Sequence, residues 1–123
     1  DHKTWRPYCH VNDFCKVINV CLKMDFKKSY FRIFNVGSNN NNFRKIDVAK
    51  RIKKFIPGFK FDIVKSSKDP RDYRVNFNKL YRITNYKSFA SIDFGIKELI
   101  TFLKKQKNPK KFLKFGNYNI TNK

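Results

Sequence analysis

The side chains best suited to chemistry lie in two stretches far apart in the chain. One is Arg6, held between Trp5 and Pro7; the other is the run Asp69-Pro-Arg-Asp-Tyr-Arg74. A guanidinium presents a planar fork of N–H donors that matches phosphate oxygens two at a time, whereas a lysine ammonium acts as a flexible point charge. Arg71 and Arg74, three apart around Tyr73 and beside a proline turn, therefore point to holding an anionic ligand. Taken singly, each arginine has a plainer use, as an exposed side chain or in an ion pair with Asp13, Asp69 or Asp72. Exposed pairs of that kind contribute little.

Residues for transforming a ligand are missing. The only glycines are Gly37, Gly58, Gly95 and Gly116, too scattered for a Gly-rich phosphate loop. No tyrosine is followed four residues later by a lysine, the spacing that sets both on one helical face for proton abstraction. The only histidines, His2 and His10, do not stand in a nucleophile–base pattern. Cys9, Cys15 and Cys21 are odd in number and spaced six apart, without the close pairs of a zinc site. They read as small apolar thiols in a reducing cytosol, so no metal is expected and the compartment expected is cytoplasmic.

A formal charge of +20 raises nucleic acid or an anionic membrane as a partner. Two features weigh against that reading. Lys, Asn, Ile, Phe and Tyr are enriched together, as A/T-rich codons would produce, and the lysines are spread along the chain. Nucleic acid is thus disfavoured as the principal partner. The alternative reading, a small basic nucleic-acid-binding module, rests on Tyr73, Tyr81, Tyr86 and Phe89, which are interleaved with basic residues and able to stack on bases. Packing is the commoner use of such rings. No apolar run reaches eighteen residues, so no membrane span is offered, and the opening Asp-His-Lys-Thr-Trp contains no apolar signal region. The lack of an initiating Met suggests a start inside a longer reading frame.

The elements that would position the arginines follow from periodicity. Residues 5–11 read as an extended approach, with Pro7 barring helix. Asn12 caps a helix to about Met24 whose stripe, Phe14, Val17, Ile18, Cys21 and Leu22, is expected to be buried. A basic linker spans 25–30, and 31–36 reads as a strand covered on both faces and ended by Gly37. Residues 38–42 read as a polar loop without chemistry of its own. A second helix covers about 46–56, with Val48, Ala49, Ile52, Phe55 and Ile56 inward, stopped by Pro57-Gly58. A second strand is expected over 59–64. Asn76 caps a short helix over about 77–84, which Asn85 ends in the left-handed conformation. Ser91 caps a last helix over about 92–104, with Ile92, Ile96, Leu99, Ile100 and Leu103 as its stripe. Residues 105–123 read as a basic tail without periodic order. Two short strands make no independently stable sheet, so the chain is expected to complete a larger one.

Three stretches in order resemble the C-terminal part of an extended short-chain dehydrogenase/reductase, of the NAD-dependent sugar-nucleotide epimerase/dehydratase kind. Trp5-Arg-Pro-Tyr-Cys-His-Val-Asn-Asp13 is similar to that family's Arg-x-(aromatic)-x-(His/Tyr)-Val-x-Asp segment. Phe34-Asn-Val-Gly37 is similar to its Asn-(Val/Leu/Ile)-Gly strand end. Residues 69–80, followed by Ser91-Ile-Asp-Phe-Gly-Ile-Lys-Glu-Leu99, are similar to its acid–arginine turn and final helix.

The resemblance covers about residues 5–104 and implies an α/β fold of short strands with about four helices. This would be the substrate-binding portion of a Rossmann-type enzyme. It implies that NAD, the Gly-rich loop and the Tyr-x-x-x-Lys pair belong to an N-terminal domain absent from this chain, which alone would be inactive. Arg6, with Tyr8 beside it, would meet the diphosphate of a nucleotide-diphosphate sugar. Asp69 would lie near a ribose hydroxyl, with Arg71 on phosphate and Arg74 in the closing turn. Where many members carry a phosphate-binding arginine this chain has Ser66, and Asn85 stands in place of a frequent glycine. A homodimer, as in the intact enzymes, would use helices of the missing part.

Overall fold

Trp5, Arg6 and Pro7 form a strand because a bulky ring and the fixed φ of proline both favour extended backbone. In the computed structural model, which describes residues 2–63 and 71–108, this strand β1 (Trp5–Pro7) pairs antiparallel with β2 (Asn42–Arg44). Trp5 stands opposite Arg44, Arg6 opposite Phe43 and Pro7 opposite Asn42. Lys45 N–H to the Thr4 carbonyl (3.2 Å) and Tyr8 N–H to the Asn41 carbonyl (2.9 Å) extend the ladder at its two ends. Around it lie α1 (Val11–Leu22), the single turn α2 (Phe26–Ser29), α3 (Lys45–Phe55), α4 (Asn78–Thr84) and α5 (Ile92–Lys104). The described residues thus make a small mixed α/β domain of four longer helices and a two-stranded sheet.

Local chemistry sets the helix ends. His10, not Asn12, caps α1: its Nδ1 accepts the Asn12 N–H at 3.2 Å. At α3 the Asp47 carboxylate accepts the Arg44 N–H (3.3 Å), one half of a capping box. Ser91 Oγ accepts the Phe94 N–H at the start of α5, as expected. Asn85 ends α4 at φ 54° and ψ 15°, the left-handed conformation that asparagine tolerates. The bounds of α3, α4 and α5 agree with the periodicity to within a residue.

Several expectations are corrected. Residues 31–36 form no strand: Phe31 adopts φ 49°, and the side chains of Phe31 and Ile33 are 88% and 83% exposed, so one face of the apolar run finds no cover. Residues 59–63 form none either. The sheet present is instead the β1–β2 ribbon. The α1 stripe is not buried as a whole. Val17 is, but Phe14 and Ile18 are exposed and Leu22 is 80% exposed. On α5 only Ile96 is buried, with Leu99 and Leu103 exposed. On α3 no side chain is fully buried. The basic linker contains the α2 turn. Val64, Ser66, Asp69 and the greater part of the basic tail, 109–123, lie outside the described residues.

The core that does form is small, with Val17, Phe77, Leu80 and Ile96 buried beside two polar residues, Asp13 and Asn41. Gly37 is required next to it. Its φ is 152°, and a Cβ there would stand 2.7 Å from the Phe77 ring. Residues 38–42, expected to be an idle loop, hold this core together. Ser38 caps a 3-10 turn (Asn39–Asn41) through its hydroxyl, and the asparagines that follow bond distant backbone. Asn39 Oδ1 accepts the Phe77 N–H at 2.9 Å. Asn42 takes both polar groups of Val75, its Oδ1 accepting N–H (2.9 Å) and its Nδ2 donating to the carbonyl (3.0 Å). Asn41 Nδ2 donates to the Ala90 carbonyl (2.8 Å), and Asp13 Oδ2 accepts the Ala90 N–H (2.6 Å).

Candidate anion-binding site

The free edge of β1 brings the two arginine stretches together. Because β2 occupies one edge, the Trp5 N–H and carbonyl face the other. Trp5 N–H donates to Asp72 Oδ1 at 2.7 Å, and the Tyr73 N–H donates to the Trp5 carbonyl at 3.4 Å. The Asn42 bonds to Val75 continue the seam. Residues 72–75 therefore run along β1, and Asp72 is used on backbone rather than on an arginine.

The arginines divide between two rings. Alternation along β1 sends Trp5 and Arg6 to opposite faces. Arg6 donates from a guanidinium nitrogen to the Trp5 carbonyl (2.6 Å) and lies 5.6 Å from the centre of the Tyr73 ring. Arg74 lies 4.8 Å over Trp5, with Arg44 also over that ring at 5.7 Å. Arg44 is neutralised by a two-pronged contact with Asp47 (2.8 and 3.0 Å), whereas Arg74 has no carboxylate partner among the described residues. Stacking on the Trp5 face holds the Arg74 guanidinium in place while leaving its edge donors available. Arg71 is exposed beside this seam. Asp69 lies outside the described residues.

Tyr8 sits two residues on from Arg6 and bonds Asn41 through its backbone. Burial pushes its hydroxyl pKa up, against the pull of Lys45 and Arg6. It opens onto an apolar cavity of about 420 Å³ between α3 and α5, walled by Val48, Ile52, Ile92 and Ile96. Cys9, His10 and Glu98 border the same space, a grouping that suggests a nucleophile with its base. The geometry refuses that role. His10 Nδ1 is taken by the Asn12 N–H and Nε2 by Glu98 Oε2 (2.7 Å), so neither nitrogen serves the thiol. Cys9 Sγ instead approaches the His10 carbonyl, and burial first, then Asp13, pushes its pKa up, away from thiolate.

Among the described residues no group of three His, Cys, Asp or Glu could hold a metal, and no helix is long and apolar enough to cross a membrane. The aromatics that suggested base stacking are mostly spent on packing. Phe89 lies 6.2 Å from Tyr81 and 5.1 Å from Tyr86, and the Tyr81 hydroxyl bonds the Gly37 carbonyl and the Asn39 N–H. Tyr86 Oη is buried without a partner among the described residues, and burial pushes its pKa up.

Sequence reasoning missed the asparagines at 39, 41 and 42. Their signal was Ser38 followed by a run of short amides, the composition of a turn whose side chains bond backbone. The site so assembled offers cationic donors and aromatic faces on a pinned strand edge. No family model matches the chain, and no solved structure matches it.

Proposed function

We propose that the chain is the substrate-binding C-terminal portion of an NAD-dependent nucleotide-sugar epimerase/dehydratase and holds the nucleotide diphosphate. The observation carrying this reading is the seam between Trp5–Arg6 and residues 72–74, which joins stretches 67 residues apart at the Trp5–Asp72 bond. Arg6 and Arg74 are each held against a ring there, with Arg71 adjoining. The diphosphate of a nucleotide sugar is an acceptor-only dianion, and guanidinium edges on a rigid strand are suited to it. In this reading Arg6 and Arg71 neutralise the phosphates, Tyr8 lines the sugar side, and Asp69 serves a ribose hydroxyl.

The described residues offer NAD no cradle. The helices α1, α3 and α5 open at His10, Arg44 and Ser91, none behind a glycine-rich turn. The reading therefore assigns NAD, and the acid–base work, to sequence outside this chain. The test is Arg6→Ala and Arg71→Ala in the intact enzyme, with nucleotide-sugar affinity measured by calorimetry. Loss of a charge-assisted bond is expected to weaken binding about 10- to 100-fold in each. Unchanged affinity in both variants would overturn the assignment.

A further inference from the structure

Away from the β1 edge, the exposed side of α4 forms an open cavity of about 760 Å³ whose lining contains no carboxylate. Lys79 and Arg82 stand one turn apart on the helix. The left-handed Asn85 reverses the chain and returns Lys87 to the same wall. None of these three cations has an acidic partner among the described residues.

The amides around them are fixed in one orientation by backbone donors. The Phe77 N–H demands an acceptor, so Asn39 must turn Oδ1 towards it, which leaves Asn39 Nδ2 to donate to Asn78 Oδ1 (2.7 Å). The Asn78 N–H in turn demands Asn76 Oδ1 (2.8 Å). With both oxygens engaged, Asn76 and Asn78 present their Nδ2 groups as the available donors. Tyr81, also in the wall, has its hydroxyl committed to Gly37 and Asn39. The lining therefore presents three cations and the amide donors of Asn76 and Asn78, with the oxygens of those two amides already used.

We infer that this cavity binds a polyphosphate anion, a ligand rich in acceptor oxygens and lacking donors, at a site separate from the Arg6–Arg74 edge. A free di- or triphosphate and the backbone of single-stranded nucleic acid share that chemistry. The one ring in the lining, Tyr81, has its hydroxyl held by Gly37 and lies 6.2 Å from Phe89, so recognition rests on phosphate and is indifferent to base sequence.

The experiment titrates inorganic pyrophosphate into the isotope-labelled full chain, followed by two-dimensional NMR. A cluster of shifts over residues 76–87 is expected. The triple variant Lys79→Gln, Arg82→Gln, Lys87→Gln should weaken that cluster's response about 100-fold, given charge-assisted bonds lost from three exposed side chains. An unchanged urea midpoint shows that the variant still folds. Arg6→Ala should leave the response of residues 76–87 in place. Shifts confined to residues 5–8 and 71–75 would overturn this site while leaving the diphosphate edge standing. Shifts scattered over all lysine-bearing surface, or a triple variant that binds as before, would overturn it too. A short oligothymidine run in parallel separates the sources. If it moves the same amides below the pyrophosphate concentration, and less so as salt rises, the phosphate is that of a nucleic-acid backbone. If pyrophosphate acts at the lower concentration, it is a free polyphosphate.

Discussion

Where residues 38–42 and Asp13 meet residues 75–90, the backbone polar groups of Val75 and Ala90 are each taken by a named side chain. Along the outer face of α1, by contrast, Val11, Phe14, Ile18 and Leu22 stand in solvent. The usual arrangement, polar outside and apolar within, is inverted in these two places. Directional bonds to backbone specify how the segments meet, and much of the helices' apolar surface contributes nothing to that meeting. A hydrogen bond adds only about 1 kcal/mol net, but a buried backbone group left without its partner costs about 1–3 kcal/mol. The polar strip is therefore sensitive to single changes, and the apolar face is not.

The largest effect is expected from Asn42→Ala, which strips the Val75 N–H and carbonyl of their partners together. Unfolding free energy should fall by about 3 kcal/mol in urea titrations. A loss under about 1 kcal/mol would mean that the strip does not hold the segments. Asp13→Ala should cost about 2 kcal/mol, since the Ala90 N–H loses its acceptor inside the domain. Asp13→Asn, which keeps an amide oxygen, should recover part of that loss.

A smaller effect concerns acid. The bond from the Arg44 guanidinium holds the Asp47 carboxyl below its ordinary value of 3.8, against the opposing effect of burial. A carboxyl depressed on folding adds stability above its unfolded pKa and loses it as pH falls through the folded value. The native chain should therefore lose more stability below pH 3.8 than Asp47→Asn does, and the gap should be constant near neutrality. A gap that did not close in acid would remove the pair from the account of α3.

The smallest change is expected on the α1 face. Leu22→Lys should alter unfolding by no more than about 0.5 kcal/mol while reducing self-association in sedimentation runs. A loss comparable with that of Asp13→Ala would show that this face is covered after all.

The legible parts of the fold were those whose cause is local. Ser91 announced the start of α5, Asn85 the end of α4, and Pro57-Gly58 the stop after α3. The arginine stretches stand out in the sequence, but neither their meeting on one seam nor their pairing with rings can be read from it. Which ring each guanidinium meets depends on the register of β1 against residues 72–75. The strand expected at 31–36 failed because an apolar run states a need for cover without stating that cover exists. The asparagine run looks idle in the sequence because its partners, Val75, Phe77 and Ala90, lie more than thirty residues away.

By itself, then, the sequence determined the four longer helices, the Ser91 cap, the Asn85 stop, the charge and the absence of a glycine-rich phosphate loop. These follow from side chains acting on backbone within a turn or two of themselves. Only the tertiary structure decided that the sheet is the β1–β2 ribbon, that Arg6 and Arg74 stand on one seam, and that asparagines stitch the core. Each of those depends on which distant backbone groups are left needing a partner. Neither composition nor periodicity records that need.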